Sequence, residues 1–304
     1  MAVTVGQLIG EAEYTTLRSG INLVMGTPTG TGTGAAGYNQ AITAPAVSPG
    51  DKVTAAAWNA LKADADKAYT HQVGAAPNPV LATVNTDSGI TKAIHDALET
   101  VVNFIKLDGN RFTLGAGQST TVSASSRAKT DWNGTQTHDV EFTWASANAV
   151  KAFFNAGGKL TFVSSLSYTG TEAKTVDWQT MMDPGTITMN YVDVTKSGAN
   201  GTITNSSGYY DLTGEVEIMN RNGANPYSEN RYKIFASAIT NGVRIRVQFQ
   251  DNDVGDDQGG VGSTGPVDEN VQGTLTSALS YIRPTGSNVQ VDAPTIALGA
   301  TNTF

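Results

Sequence analysis

GVRIRVQFQ (residues 242–250) is the segment that most clearly indicates the fold of this 304-residue chain. It alternates apolar with polar residues: Val243, Ile245, Val247 and Phe249 against Arg244, Arg246, Gln248 and Gln250. Successive side chains of a β-strand point to opposite faces of the sheet, so this period of two is typical of a strand with one buried face. The segment therefore predicts a half-buried β-strand with its four apolar side chains inward.

The same alternation marks HDVEFTW (138–144), where Val140, Phe142 and Trp144 are apolar. Weaker strand patterns occupy residues 118–127, 159–167, 185–193, 208–218, 230–238, 272–282 and 287–292. Clusters of Gly, Asn, Asp and Pro, such as TKSGANG and NRNGANP, separate these runs and indicate turns. Eight or nine strands with almost no long helix between them favour a mainly β fold: an antiparallel β-sandwich or jelly-roll-like domain over 108–304.

Residues 1–107 carry helical periodicity instead, which predicts a small α-helical region before the β domain. A first helix follows a capping box at Thr4 and Gln7, with a break at Gly10. A second runs from a Thr54 cap to Gly74; its apolar face holds Trp58, Leu61, Ala65 and Ala68, and its outer face Lys62, Asp64, Asp66 and Lys67. A third begins at Ser88 and carries the apolar stripe Ile90, Ile94, Ala97, Leu98, Val101 and Ile105.

The Gly-rich segment GTPTGTGTGAAG (26–37) predicts a flexible linker, because it has neither periodicity nor bulk. It lacks the G-K-S/T ending of a phosphate-binding loop. Short helices joined in this way are marginal without a packing partner. We therefore expect the region to dock or oligomerise through five apolar residues: Trp58, Leu61, Ile94, Leu98 and Val101.

FFNAGGKLTF (153–162) reads as a helix end followed by a strand. Ser146 can cap a short helix, and Gly157 stands where a left-handed residue would end it. Adjacent phenylalanines on a helix lie about 100° apart, so one is expected in the sandwich core and the other at its edge. The predicted structural motif comprises Phe153, Phe154, Asn155, Gly157 and Gly158.

Composition excludes several classes of function. A formal net charge of −8 without clustered Lys or Arg argues against nonspecific nucleic-acid binding. The chain has no cysteine, so disulfide frameworks and thiolate sites are ruled out. MAVTVGQLIGEAEY lacks the basic and apolar regions of a signal peptide, and no stretch approaches the roughly 18–20 apolar residues of a membrane span. With 15% charged residues and 33 glycines, the composition favours a β-rich structural protein.

No constellation of catalytic residues emerges from the sequence, and we predict neither enzymatic activity nor a cofactor. His71, His95 and His138 lie in separate segments without metal-ligand spacing. The acidic run DNDVGDDQGG (251–260) offers hard oxygen ligands for Ca²⁺ or Mg²⁺, but it departs from the EF-hand pattern and favours a solvated turn. Its candidate metal ligands are Asp251, Asp253, Asp256 and Asp257. No motif places Asp211, Glu215 or Glu217 as a carboxylate pair for glycoside cleavage.

Four stretches occur in this order: YNQAITAPAVSPGDKVTAAAWNALKADADKAYTHQVG (38–74), the Trp132 segment with VEFTW (140–144), AFFNAGGKLTF (152–162), and GYYDLT (208–213) with ENRYKIFASA (229–238). Together they resemble virion structural proteins of tailed bacteriophages, a group common in cyanophages and often described as tail fibre or tail-associated proteins. The resemblance spans about 38–283, and FFNAGG is its most specific element.

This resemblance implies a non-enzymatic assembly component located in the virion and assembled in the host cytoplasm. Its helical part would dock on other virion proteins of the tail, neck, collar or baseplate, and its β-rich part would pack on copies of itself or face outward. A homotrimer is the expected self-assembly, with neither nucleic acid nor membrane as partner. A capsid decoration or adaptor protein is an alternative within the same class.

Two further functions stay open from the sequence. A receptor- or glycan-binding module would contact host surface glycans through loops 195–208, 220–229 and 251–270, with Tyr209, Tyr210, Tyr227 and Tyr232 as candidate aromatic contacts. Tyrosines at strand ends are also common packing residues. A depolymerising tailspike enzyme is disfavoured, because repeated β-helix coils are absent.

Overall fold

The computed structural model describes residues 9–86, 89–253 and 270–304. These residues form two compact units, each assembled from separated segments of the chain. The helical unit comprises the described parts of 1–121 together with 148–158 and 283–292. The sandwich unit comprises 122–147, the described parts of 159–282, and 293–304. The chain thus enters each unit more than once, whereas the sequence indicated a single boundary between 107 and 108.

The helices of the helical unit are α1 (Glu11–Met25), α2 (Ala55–Val73), α3 (Lys92–Ile105), α4 (Asp108–Arg111) and most of α5 (Ala147–Asn155). The first three pack on one another. Their shared core is made of side chains that are almost completely buried: Tyr14, Leu17, Ile21, Trp58, Leu61, Ala65, Leu98, Val101 and Ile105. The apolar spacing read from the sequence thus corresponds to buried faces.

Helix boundaries agree with the prediction for α2 and differ for its neighbours. The Thr54 hydroxyl accepts a hydrogen bond from the Ala57 N–H (3.1 Å), and Gly74 follows the last turn. Gly10 precedes α1 as its N-cap, where the Glu13 carboxylate accepts the Gly10 N–H (3.1 Å), so α1 begins after the glycine at which a break was predicted. α3 begins after Thr91, four residues later than predicted, because the Thr91 hydroxyl caps the Ile94 N–H. Thr4, Gln7 and Ser88 lie outside the described residues.

Residues 26–37, predicted as a flexible linker, form a loop closed by backbone hydrogen bonds. Thr29 and Ala36 exchange backbone hydrogen bonds of 2.9 and 3.0 Å, which closes the loop on itself. The Tyr38 N–H then donates to the Val24 carbonyl (2.9 Å) and returns the chain to α1. Small side chains let the two arms of the loop approach this closely, and Ala35 and Ala36 are buried as a result.

The sandwich unit contains two antiparallel sheets. Its strands are β1 (Thr120–Trp132), β2 (Thr135–Thr143), β3 (Lys159–Ser167), β4 (Ile187–Met189), β5 (Val194–Lys196), β6 (Thr202–Ile203), β7 (Val216–Asn222), β8 (Arg231–Ile239), β9 (Gly242–Gln250), β10 (Val271–Pro284) and β11 (Thr295–Leu298). One sheet has the order β1-β10-β3-β4-β5, and the other β11-β2-β9-β8-β7-β6. The predicted antiparallel β-sandwich, preceded by a helical region, is confirmed.

The segment GVRIRVQFQ forms the strand β9, which pairs along its whole length with β2 on one side and β8 on the other. Its four apolar side chains are at most 1% exposed, as the alternation predicts. In the core between the sheets, Phe249 stacks on Tyr232 with ring centroids 5.2 Å apart, and the Tyr232 hydroxyl lies 3.0 Å from Ser164 Oγ on the opposite sheet. The segment is therefore central to the sandwich.

Several strand predictions shift in the structure. Residues 287–292 hold only an isolated bridge at Gln290, whereas the strand at that end of the chain is β11. Tyr209–Asp211 forms a short helical turn, and β7 starts only at Val216. A helix not predicted from the sequence, α6 (Ala173–Met181), places Trp178 against Trp132 with centroids 4.7 Å apart.

Within the described ranges, none of the helices has both the length and the apolar character that a membrane crossing requires.

Candidate functional site

The motif FFNAGG ends helix α5 as predicted. Gly157 has a left-handed backbone (φ +84°). The Gly157 N–H donates to the Phe154 carbonyl (3.1 Å) and the Gly158 N–H to the Phe153 carbonyl (2.9 Å). These two bonds form the helix-ending arrangement in which a left-handed residue satisfies the last free carbonyl groups. The β-strand prediction after it is also confirmed, since β3 starts at Lys159.

The same motif holds α5 in the helical unit. Phe153 and Phe154 are both fully buried, with their rings edge to face at 5.0 Å. The Asn155 side chain donates to the Gly37 carbonyl (3.0 Å), and the Ala156 carbonyl lies 3.0 Å from His71 Nε2. Residues 148–158 belong to the helical unit, whereas the sequence placed one of the two phenylalanines in the sandwich core. Each residue of the motif has a structural role.

The residues expected to dock or oligomerise lie largely inside the helical unit. Trp58, Leu61, Leu98 and Val101 are no more than 1% exposed, because α1, α2 and α3 already cover them. Ile94 is half-buried. Four of these five side chains therefore stabilise the unit itself and do not present a free apolar surface.

Asp64, expected on the outer face of α2, is completely buried. Its carboxylate accepts hydrogen bonds from the backbone N–H groups of Thr43 (2.7 Å) and Ala44 (2.8 Å) and from the Thr43 hydroxyl (2.9 Å). The segment before α2 thus folds back over the helix and supplies the donors that a buried carboxylate needs. Helical periodicity alone could not locate this segment.

The acidic run contributes a buried ion pair where a metal site was considered. The Lys174 ammonium lies 2.9 Å from the Asp251 carboxylate, and both side chains are fully buried. The same ammonium donates to the Asp253 carbonyl (2.9 Å). Asp251 therefore has a protein cation as its partner and points away from solvent. Asp256 and Asp257 lie outside the described residues.

The turn that follows Asp251 is held by Asn230, which is fully buried. The Asn230 amide oxygen accepts the backbone N–H groups of Asn252 and Asp253, each at 2.9 Å. Asn252 and Asp253 are thus held by their backbone N–H groups against the side chain of Asn230, the residue that precedes β8. Lys174 and Asn230 were both missed by sequence reasoning, since neither lies near the run in the chain.

Two histidines are buried and structural. His138 connects the two sheets, with Nδ1 3.0 Å from Ser277 Oγ and Nε2 3.2 Å from Ser125 Oγ. Burial, reinforced by the charge of Arg127, lowers the pKa of His138 to about 4. Burial also lowers the pKa of His71 to about 4, against the raising effect of its contact with the Ala156 carbonyl. Both rings are therefore neutral at pH 7.

The third histidine belongs to a small cluster on α3. His95, Asp96 and Glu99 bring one ligand atom each to within 4.8 Å of one another. His95 is buried, whereas the two carboxylates are more than 40% exposed. A hydrogen bond from Lys92 lowers the pKa of Asp96, so a lysine already supplies positive charge at this cluster. In the sequence, the spacing of four residues between His95 and Glu99 on one helix indicates this cluster.

The C-terminal residues are fastened to the sandwich by Asp139, whose side chain is fully buried. Its carboxylate accepts from Arg244 Nε (2.8 Å) and from the Thr301 N–H (3.1 Å) and hydroxyl (2.7 Å). Burial alone would raise the pKa of Asp139, but these hydrogen bonds outweigh it and the pKa is lowered. Phe304 then packs against His138 and Phe249.

A polar groove lies on the sandwich unit beside the paired strands β6 and β7. It has a volume of 370 Å³ and is lined by Gly201, Thr202, Thr204, Asn220, Arg221 and Asn222. Hydroxyl, amide and guanidinium groups together offer both hydrogen-bond donors and acceptors. The groove lies within or beside two of the loop regions expected to contact glycans, 195–208 and 220–229. Among the candidate tyrosines, Tyr227 and Tyr232 are buried packing residues, whereas Tyr209 and Tyr210 are half-buried and pack on each other.

Comparison with known proteins gave no match: no protein-family model, no curated protein and no solved structure is significantly similar to this chain.

Proposed function

We propose that this protein is a non-enzymatic structural component of a tailed-phage virion, a tail or neck fibre or tail-associated protein. The observation that best supports the proposal is that the buried ionisable side chains hold separate segments of the chain together. His71, His138, Asp64, Asp139 and the Lys174–Asp251 pair all brace one chain segment against another. The resemblance of residues 38–283 to virion structural proteins supports the same class.

Catalytic acids and bases must reach a substrate and exchange protons near the working pH. The braces described above do neither, because their polar atoms bond to groups of the chain itself: backbone, hydroxyl groups and the charged side chains of Arg244, Lys174 and Asp251. Such bonds favour a single rigid arrangement, which suits a building block that must present the same surface in every copy. A non-enzymatic role is therefore the function that this geometry favours.

The proposal includes docking through the helical unit on other virion proteins of the tail, neck, collar or baseplate. The predicted residues are mostly buried, so the exposed large apolar side chains of that unit are the better candidates: Leu23, Val73, Val80 and Leu107. Self-assembly as a homotrimer and location in the virion also belong to this proposal, and adaptor or capsid decoration is its nearest variant.

An amber mutation in the gene for this chain tests the proposal. In a nonsuppressing host we expect particles that lack a defined substructure by negative-stain electron microscopy. Supplying the full chain from a plasmid should restore that substructure. Mutant particles that are complete and fully infectious would overturn the proposal.

The polar groove favours glycan binding as a second candidate function. Glycan hydroxyl and carboxylate groups need closely spaced donors and acceptors, which Asn220, Arg221 and Asn222 provide beside two threonines. Arg221 also interacts electrostatically with Asp177. Burial raises the pKa of Asp177, and the hydrogen bond from the Ala224 N–H and the positive charge of Arg221 only partly oppose that rise.

A glycan array probed with the full chain tests this candidate. We expect binding that Arg221→Ala abolishes and that Arg127→Ala, on the other sheet, leaves intact. Absence of any hit at high protein concentration, or equal binding by both variants, would exclude the groove as a glycan site.

A further inference from the structure

We infer that the outer face of the five-stranded sheet is the surface on which a second copy of this chain packs. This inference rests on the proposed assembly role and names its partner. The face, called the neutral face below, consists of the outward side chains of β1 (122–130), β3 (163–167) and β10 (274–282), with Thr188 and Thr195 beside them. Thr161 also points outward but is only 9% exposed. None of these outward side chains carries a charge.

Pairing between β3 and β10 defines the centre of this face. Thr276 lies opposite Ser165, Ala278 opposite Val163, and Ser280 opposite Thr161. The intervening residues on both strands point inward and are buried: Leu160, Phe162, Ser164, Leu166, Leu275, Ser277, Leu279 and Tyr281. Alternation along each strand therefore places the small uncharged residues outward.

The edge strand β1 extends the face. Ser125 lies 3.2 Å from the buried His138, so it points inward, and its even-numbered neighbours point outward. Those outward residues, from 122 to 130, are all exposed, and Val122 is 60% exposed. Asp131 has a positive φ (+45°), which reverses the alternation and turns Trp132 into the core.

The outer face of the six-stranded sheet provides an internal comparison. It carries ion pairs, including Lys233–Glu217 between the neighbouring strands β8 and β7 and Arg246 of β9 with Glu215, the residue before β7. Arg244 pairs with Asp139 on the same sheet. A sheet face in permanent contact with water is normally rich in such mixed charges, which keep a protein soluble. The neutral face lacks them and instead exposes valine: Val163 is 42% exposed at its centre.

A second copy of the same chain fits this face better than a charged partner does. With a net charge of −8, two copies repel each other over most of their surface, and that repulsion is weakest where neither copy carries charge. Serine and threonine hydroxyls both donate and accept, so a face rich in them is complementary to itself. Contact between two identical patches gives a closed, two-fold interface, so this inference predicts a dimer through the neutral face where the sequence led us to expect a homotrimer.

The size of the face also suits self-association. Three long strands about 4.8 Å apart and roughly 30 Å long, with two short strands beside them, cover on the order of 500 Å² in projection. Stable interfaces bury about 800 Å² per partner, so the face would supply the greater part of such an interface. Lys159, opposite Ile282, marks the border of the face at one end.

Solution mass tests the inference, measured by size exclusion with light scattering over a range of protein concentrations. Val163→Glu and Ser165→Lys place opposite charges at the centre of the face. Val176→Glu on α6 is the matched control, because Val176 is also 42% exposed. We expect a multiple of the chain mass for the wild type and the control, and at least about a hundredfold weaker association for both face variants, since neither charge finds a partner there. Far-UV circular dichroism checks that each variant is folded.

Four results would overturn the inference. They are a wild-type monomer at every concentration, face variants that keep the wild-type mass, dissociation by all three variants, and dissociation by Val163→Glu alone, which would indicate general repulsion. The proposed virion role is tested separately by the amber mutant. A monomer whose gene is still needed for complete particles would overturn the neutral-face inference and leave the virion role standing.

Discussion

Gly157 illustrates how much of this fold depends on single positions. Its left-handed backbone ends α5, and a Cβ built on it would lie 3.0 Å from the Leu114 backbone nitrogen. Asp64, Asp139 and His138 act at the same scale, each by joining segments distant in the chain. The sequence predicted Gly157 because helix-ending signals are local. It did not predict the bonds of Asp64 or Asp139, because their donors lie 20 or more residues away.

Gly157→Ala should destabilise the helical unit by more than the about 1–2 kcal/mol typical of a left-handed residue that gains a Cβ. The excess comes from the close approach to Leu114. Gly117→Ala is the control, since Gly117 also has a positive φ (+77°) and its Cβ would have no neighbour within 4 Å. Urea denaturation followed by far-UV circular dichroism measures both. Equal losses for the two variants would show that the contact with Leu114 is unimportant.

The two buried histidines predict that stability falls with acid. The folded-state pKa of each lies near 4, below the ordinary value of 6.5, so the unfolded chain takes up protons first as the pH falls. Their contribution is complete above pH 6.5 and decreases between pH 6.5 and 4, by about 3 kcal/mol for each histidine. The lowered pKa of Asp139 acts in a lower window, below about pH 4.

Substituting each histidine separately distinguishes the pH dependence of stability of one unit from that of the other. His71→Gln should flatten the pH dependence of the helical unit, and His138→Gln that of the sandwich unit. Free energies of unfolding measured from pH 7 to pH 4 provide the comparison. A slope unchanged by either substitution would mean that the histidine concerned is not the group that takes up the proton.

At the scale of elements, sequence patterns located most helices and strands but not their partners. The alternation in β9 and the apolar stripe of α3 were sufficient to predict these two elements, because a buried face produces a periodic pattern of apolar residues in the sequence. Helix α6 and the closed form of the loop 26–37 were not predicted, since glycine-rich or weakly amphipathic segments take their form through contacts with distant residues. Four of the five predicted docking residues are buried within the unit for a related reason: an apolar stripe indicates that its residues are covered, but not which element covers them.

The buried pair between α6 and the end of β9 gives a prediction at this scale. Lys174→Met leaves the buried Asp251 carboxylate without the ammonium and should destabilise the sandwich unit by about 3–5 kcal/mol. The double variant Lys174→Met/Asp251→Asn removes both charges and should recover a large part of the loss. Chemical denaturation of the two single variants and the double variant measures the coupling. Additive losses would contradict a direct interaction.

For the whole molecule, the structure combines a braced interior, a charged sheet face and a neutral sheet face. Rigid bracing and a self-complementary surface are what a repeated building block requires. The sandwich fold was predictable from periodicity, whereas the neutral face was not, because strand registers decide which residues share a surface. The proposed virion role would connect these features and is open to one direct measurement.

That measurement is the copy number of this chain in gradient-purified phage particles, determined by isotope-dilution mass spectrometry against the major capsid protein. We expect a fixed number of several copies per particle, unchanged between preparations and resistant to high-salt washing. Particles free of the chain, while it is abundant in the lysate from which they were purified, would rule out a structural role in the virion.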